Sequence, residues 1–225
     1  MIIGVPSEVK NNEFRVGLTP DSVKILTKAQ HKLLVQANAG SSIGFTDELY
    51  IKSGATILNS AKEIYESSEL IIKVKEPVED EFQYLRKGLT LFTYLHLAGD
   101  LPHAKKLLET GVTGIAYETV TADDGSLPLL APMSAIAGQL SMVVGFYHLL
   151  KPNKGRGTLI GNIDPRIVTV IGAGVAGTEA IAKAVANHAN VKAIDLSQNR
   201  LDELQAMFGS KNIEYILSSP DSIRS

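Results

Sequence analysis

Gly172-Ala173-Gly174-Val175-Ala176-Gly177 is a G-x-G-x-x-G string lying between an apolar run, 167–171, and a helix-like stretch read over 178–189. Alone the string is weak evidence, but its setting gives each glycine a task. The first permits a tight turn, the second lets the backbone approach a pyrophosphate, and the third lets the helix pack closely. The helix N-terminus adds free N–H groups for an anion. Asp195 falls at the end of the next apolar run, 191–196, where a carboxylate can accept hydrogen bonds from the adenosine ribose hydroxyls. Its charge repels a 2′-phosphate, so NAD is favoured over NADP, with Arg200 nearby arguing the other way. The plainer alternative is a glycine-rich turn beside a solvated aspartate.

Three more residues stand directly after apolar runs. Arg15 lies in the loop 6–19 that follows 2–5, Lys75 follows 70–74, and His96 follows 89–95. In an open parallel sheet, ligands bind outside the carboxyl ends of the strands, so adjacent parallel strands would point all three into one crevice. A guanidinium can clamp a carboxylate through two hydrogen bonds, an ammonium can stabilise charge on a carbonyl or carbinolamine oxygen, and an imidazole can exchange a proton near neutral pH. That set suits a small 2-oxo or 2-amino acid. Each residue also has a plainer use: Arg15 solvated, Lys75 paired with Glu76 or solvent, His96 hydrogen-bonding at a strand end. Glu118, at another strand end, reads as an orienting group. His31, His103, His148 and His188 read as surface or packing residues, and no metal-ligand spacing is visible.

The elements that must position these residues follow from the hydrophobic pattern. Apolar runs at 2–5, 33–36, 55–58, 70–74, 89–95 and 113–117 alternate with helix-like segments, the pattern of strands joined by helical crossovers. Thr19 before Pro20, and Ser60 with Glu63, mark helix starts. The stretch 133–150 reads as one long helix, apolar on several faces, so a second domain or subunit must cover it. After the turn-rich segment 152–157 the pattern restarts, with strands at 167–171, 191–196 and 213–217. The expected architecture is α/β with two Rossmann-like parallel-sheet domains. Residues 1–130 form a substrate-binding domain, and 131–225, begun by a connecting helix at about 132–150, form the first half of an NAD-binding domain.

Composition narrows the field. A formal charge of -2 offers no field for nucleic acid or an anionic membrane. The absence of cysteine excludes disulfides and thiolate chemistry. No signal peptide or spanning segment is legible, so a cytoplasmic protein with no membrane partner is expected.

Gly4-Val5-Pro6-Ser7-Glu8 with Lys10-Asn11-Asn12-Glu13-Phe14-Arg15-Val16 closely resembles the amino-terminal signature of alanine dehydrogenases. The first domain of proton-translocating nicotinamide transhydrogenase shares that signature more loosely. Lys73-Val74-Lys75-Glu76-Pro77, Leu91-Phe92-Thr93-Tyr94-Leu95-His96-Leu97, Ala116-Tyr117-Glu118-Thr119, Pro128-Leu129-Leu130-Ala131-Pro132-Met133-Ser134 and the glycine turn follow in the family's order. The resemblance implies reversible NAD-dependent oxidation of L-alanine to pyruvate and ammonium. Arg15 and Lys75 would hold the substrate, with His96 as acid/base beside Lys75. Ser134 and Gly172 through Gly177 would contact the cofactor, and Asp195 would bind the ribose. A homo-oligomer, a hexamer in the family, is implied as well. Two departures stand out: the connection 161–165 is shorter than the family's, and the sequence stops after the third strand of the cofactor domain. Against the family pattern the chain therefore reads as truncated, and a poor catalyst by itself. The alternatives are a transhydrogenase-type nucleotide-binding subunit and a non-catalytic binding or assembly module.

Overall fold

The computed structural model describes residues 1–157 and 166–224, which form two compact units, Met1–Leu127 and Pro128–Ser225. The first unit contains β1 (Ile2–Val5), α1 (Pro20–Lys28), β2 (Lys32–Gln36), α2 (Asp47–Lys52), β3 (Thr56–Leu58), α3 (Ala61–Ser67), β4 (Leu70–Ile72), β5 (Thr90–Thr93), α4 (Leu101–Glu109) and β6 (Thr113–Ala116). Its sheet is wholly parallel, in the order β3-β2-β1-β4-β5-β6.

The strands are apolar on both faces because helices cover both. With a side-chain period of two, Leu33 and Val35 pack with Ile3, Val5, Val23 and Tyr50, while Leu34 between them packs with Ile64, Tyr65, Ile71 and Leu91 across the sheet. Helix starts lie where the caps were read. The Thr19 hydroxyl accepts from Ser22 N–H ahead of Pro20, and Ser60 with Glu63 closes a capping box.

Two strands are shorter than their apolar runs. β4 ends at Ile72, after which Val74 and Lys75 turn their N–H groups to the Glu8 carboxylate. β5 ends at Thr93, after which Leu95 and His96 donate to Glu118. Side-chain acceptors replace the ladder at the edge where ligands are expected.

The second unit contains α5 (Ala131–Leu149), β7 (Ile167–Ile171), α6 (Val175–Ala186), β8 (Asn190–Asp195), α7 (Gln198–Phe208), β9 (Ile213–Leu217) and α8 (Pro220–Arg224). Its described sheet is parallel, in the order β7-β8-β9. α6 starts three residues ahead of the helix read from sequence, at Val175, because Gly174 caps it and the glycine turn itself supplies the first helical turn. α5 packs closely on α6: a Cβ at Gly138 would lie 2.1 Å from the Ala176 carbonyl oxygen. Elsewhere on α5, Ile136, Leu140, Val143, Val144 and Tyr147 are exposed. The connection 161–165 falls outside the described residues. Among the described residues, no helix is long and apolar enough to cross a membrane.

Candidate active site

In the first sheet the strand order turns back at β1, with β2 on one side of it and β4 on the other, and a crevice opens at such a switch point beyond the strand ends. Arg15 follows β1, Lys75 follows β4 and His96 follows β5, so the three residues leave adjacent strands at the same edge. Their immediate contacts form a connected polar group.

Arg15 is half-buried and held by Glu13. Its Nε donates to Oε1 at 2.8 Å, Nη2 donates to Oε2 at 2.5 Å, and its backbone N–H donates to Oε1 at 3.0 Å. The Arg15 hydrogen bonds hold the Glu13 carboxyl below its ordinary range despite partial burial, and the Lys75 charge adds to the effect. Tyr94 links Arg15 to His96. Its hydroxyl feels the Arg15 charge, and its ring stacks on the imidazole with centroids 6.1 Å apart and planes 15° apart. Tyr117 meets the Tyr94 ring edge-on at 5.0 Å, and burial pushes the Tyr117 hydroxyl well up from its ordinary value.

His96 adopts left-handed backbone angles, φ 52° and ψ 30°, which for a non-glycine residue costs on the order of 1 kcal/mol. The Glu118 carboxylate sustains this conformation by accepting His96 N–H at 2.6 Å and Leu95 N–H at 3.2 and 3.3 Å. Glu118 thus orients the imidazole through the backbone.

Lys75 does not pair with Glu76, whose carboxylate binds Lys10. Among the described residues the Lys75 ammonium makes no ion pair, while its backbone is fixed at both ends: N–H to Glu8 at 3.3 Å, and C=O from the Thr93 hydroxyl at 2.9 Å. Beside His96 lies a cleft of about 400 Å³, lined also by Glu76, His103 and Lys106. His103 packs edge-on against Phe82 at 5.3 Å, as a packing residue would, but its Nε2 and Glu76 Oε2 are buried with no hydrogen-bond partner among the described residues.

The glycine turn belongs to the second unit. Gly172 has φ +93°, closed to most side chains, and a Cβ at Gly177 would lie 1.9 Å from the Gly172 carbonyl oxygen. Gly174 differs: nothing approaches its Cβ position within 4 Å, so the turn is open on the face a pyrophosphate would use. Asp195 Oδ2 accepts Ala173 N–H at 2.6 Å and Oδ1 accepts Ser197 N–H at 2.8 Å, bonds that hold its carboxyl below the ordinary range and hence ionised. Arg200 is occupied elsewhere. Its Nε donates to the Ala173 carbonyl at 2.8 Å, Nη2 to the Thr178 hydroxyl at 2.7 Å, and Nη1 pairs with Glu203. An ionised carboxylate can accept from a ribose hydroxyl, and the residues present fit a nicotinamide dinucleotide. Ser134 is half-buried in the first turn of α5, its N–H on the Leu130 carbonyl at 3.1 Å. Among the described residues no group of acidic, histidine or cysteine side chains is arranged for a metal.

Glu8, Lys73, Glu81 and Tyr94 were not singled out from the sequence. Only Lys73, a basic residue inside the apolar run 70–74, gives a local hint.

A six-stranded parallel sheet with polar residues at its switch point, joined to a parallel βαβαβ unit with an open glycine turn, defines a Rossmann-like α/β protein of the dinucleotide-binding class. The chain belongs to the alanine dehydrogenase/PNT family: the model of its N-terminal domain matches residues 4–137 and that of its C-terminal domain residues 141–225. The alanine dehydrogenase of Mycolicibacterium smegmatis is 47% identical over 214 residues, 94% of this chain and 58% of that protein. That of Bacillus subtilis is 46% identical over 227 residues, 99% of this chain and 59% of that protein. Among solved structures, an L-alanine dehydrogenase superposes with a TM-score of 0.87 at 43% identity, covering 99% of this chain and 62% of that one. A transhydrogenase from Sinorhizobium meliloti superposes at 0.76 with 25% identity, covering all of this chain and 64% of that one. The chain thus spans about three fifths of the length of these relatives.

Proposed function

We propose that this chain carries the substrate-binding domain (residues 1–130) and part of the NAD-binding domain (131–225) of an NAD-dependent alanine dehydrogenase that interconverts L-alanine with pyruvate and ammonium. The observation that carries the reading is the convergence of Arg15, Lys75 and His96 at the carboxyl ends of the adjacent strands β1, β4 and β5. Arg15 takes the substrate carboxylate in a bidentate grip, a role for which Glu13 already holds the fork in a fixed plane. Lys75 lends positive charge to the oxygen developing at C2, and His96 takes and returns the proton. Gly172, Ala173, Gly174, Val175, Ala176 and Gly177, with Ser134 and Asp195, hold NAD, whose nicotinamide accepts the hydride when bound. The exposed apolar residues of α5 support assembly into a homo-oligomer, a hexamer on the family pattern; the same reading puts the protein in the cytoplasm.

Pyruvate titration of the isotopically labelled chain, followed by NMR, tests the reading. Shifts should centre on Arg15, Lys75 and His96. Arg15→Met should weaken binding about 10- to 100-fold, the value of a lost charge-assisted pair of hydrogen bonds. Unchanged affinity in that variant, or shifts confined elsewhere, would remove the crevice as the substrate site. NADH formation from L-alanine, set against reduction by a second nicotinamide nucleotide, separates this activity from a transhydrogenase.

A further inference from the structure

Past β4 the chain keeps two backbone bonds to the β5 side, Lys73 N–H to the Phe92 carbonyl at 3.1 Å and Tyr94 N–H to the Val74 carbonyl at 3.2 Å, but the N–H groups of Val74, Lys75 and Val78 need other acceptors. Two buried carboxylates supply them. Glu8 Oε1 accepts Val74 N–H at 2.7 Å and Oε2 accepts Lys75 N–H at 3.3 Å, while Glu81 Oε2 accepts Val78 N–H at 3.0 Å. Between them sits Lys73, fully buried, with Nζ 2.6 Å from Glu81 Oε1 and 3.5 Å from Glu8 Oε2. Tyr65 donates to the same Glu81 oxygen at 2.9 Å. Glu8 and Glu81 expose only 2% and 5% of their side chains, and Lys73 is the counter-ion within reach of both.

We propose that Glu8 is a positioning residue for Lys75: with Lys73 and Glu81 it forms a buried clamp that fixes the 73–78 segment and so aims the Lys75 ammonium. The clamp reaches only backbone, and Thr93 holds the Lys75 carbonyl from the other side, which leaves the side chain alone to meet a ligand. Stability is a weak account of the network, because well-packed apolar groups in place of a buried ion triad are often equally or more stabilising. A fixed backbone beneath an ammonium without an ion pair is what preorganised binding of an anionic or carbonyl ligand requires.

The ligand named for the test, pyruvate, rests on the function proposed above; the clamp itself does not. Amide hydrogen exchange and pyruvate titration are compared in the full chain for the wild type, Glu8→Ala and Glu8→Gln. In Glu8→Ala the Val74 and Lys75 amides should exchange about tenfold faster or more, with Val78 and Ile71 unchanged, and pyruvate should bind about tenfold more weakly. Glu8→Gln keeps one acceptor oxygen and should lie between the two in both measurements, a graded rescue that a general loss of stability would not give. If Glu8→Ala does not fold, Glu8→Gln against the wild type decides. Unchanged exchange at Lys75, or faster exchange with unaltered pyruvate affinity, overturns the proposal. No pyruvate binding by the wild type overturns the proposed function instead, and exchange at Lys75 then judges the clamp alone.

Discussion

The two units secure their binding edges by opposite means. In the second, the glycine turn is set by backbone conformation: Gly172 at positive φ, Gly177 against a carbonyl, and an accessible Asp195 accepting the N–H groups of Ala173 in the turn and of Ser197. In the first, the segment carrying Lys75 is set by charges taken out of water, Glu8, Lys73 and Glu81. A backbone-coded site stores little electrostatic energy and tolerates loss of a charge. A charge-coded site is rigid only while its charges balance, and loss of one partner exposes the full desolvation penalty of the others.

Removing one charge from each unit tests that contrast most severely. Lys73→Met strands two buried carboxylates and should cost about 3–5 kcal/mol, enough to unfold much of the first unit at moderate temperature. Glu203→Gln breaks the Arg200–Glu203 pair, whose side chains are 29% and 63% exposed, and should change stability by about 0.5 kcal/mol or less. Amide exchange at Ile71 and Ala193 reports the two units separately. Comparable losses in both would end the comparison.

The same contrast explains which parts of the sites were legible in the sequence. The G-x-G-x-x-G string and Asp195 could be read because a backbone-coded turn is local: strand, glycines and helix are consecutive, and each glycine answers to its neighbours. The alternating strands were legible for the same reason, and their centres fall where the apolar runs put them. Strand ends were not, since β4 and β5 stop where Glu8 and Glu118, distant in sequence, take over as acceptors. The clamp was illegible because nothing near Lys73 announces that its partners are Glu8 and Glu81. Tyr94 escaped notice because its role depends on the ring stacking on His96, a contact that strand periodicity does not encode.

Two glycines in one turn sharpen the idea of backbone coding. A Cβ at Gly177 meets the Gly172 carbonyl oxygen at 1.9 Å, and backbone cannot give way as a side chain would. Gly177→Ala should therefore cost about 1–3 kcal/mol, in the range of overpacked sites, and should weaken NADH binding as α6 shifts. Gly174→Ala meets nothing within 4 Å, and its φ of -64° suits alanine, so stability should change by about 0.5 kcal/mol or less. Its methyl group would nevertheless occupy the approach of a pyrophosphate. NADH fluorescence titration beside thermal unfolding separates the two: Gly174→Ala should lose binding without losing stability. Full NADH affinity in that variant would mean the nucleotide does not cross the turn.

The smallest expected effect has the most specific sign. Burial raises the Glu8 carboxyl above its ordinary 4.5, against the pull of Lys73 and two N–H groups. Folding therefore favours its protonated form, so its contribution to stability is full below pH 4.5 and is lost as pH rises through the folded value. Asp195 is the reverse. The N–H bonds of Ala173 and Ser197 hold it below its ordinary 3.8, so its contribution is full above that pH and is lost as pH falls through the folded value. Glu8→Gln and Asp195→Asn remove one titration each. Over about pH 3 to 7, the Tm of the wild type minus that of Glu8→Gln should fall as pH rises, while the same difference for Asp195→Asn should grow. Any offset from the amide itself is independent of pH, so the slope alone carries the test. Slopes of the same sign would mean that the carboxylate in the first unit is no more desolvated than the one beside the glycine turn, and the two units would then differ in sequence but not in physics.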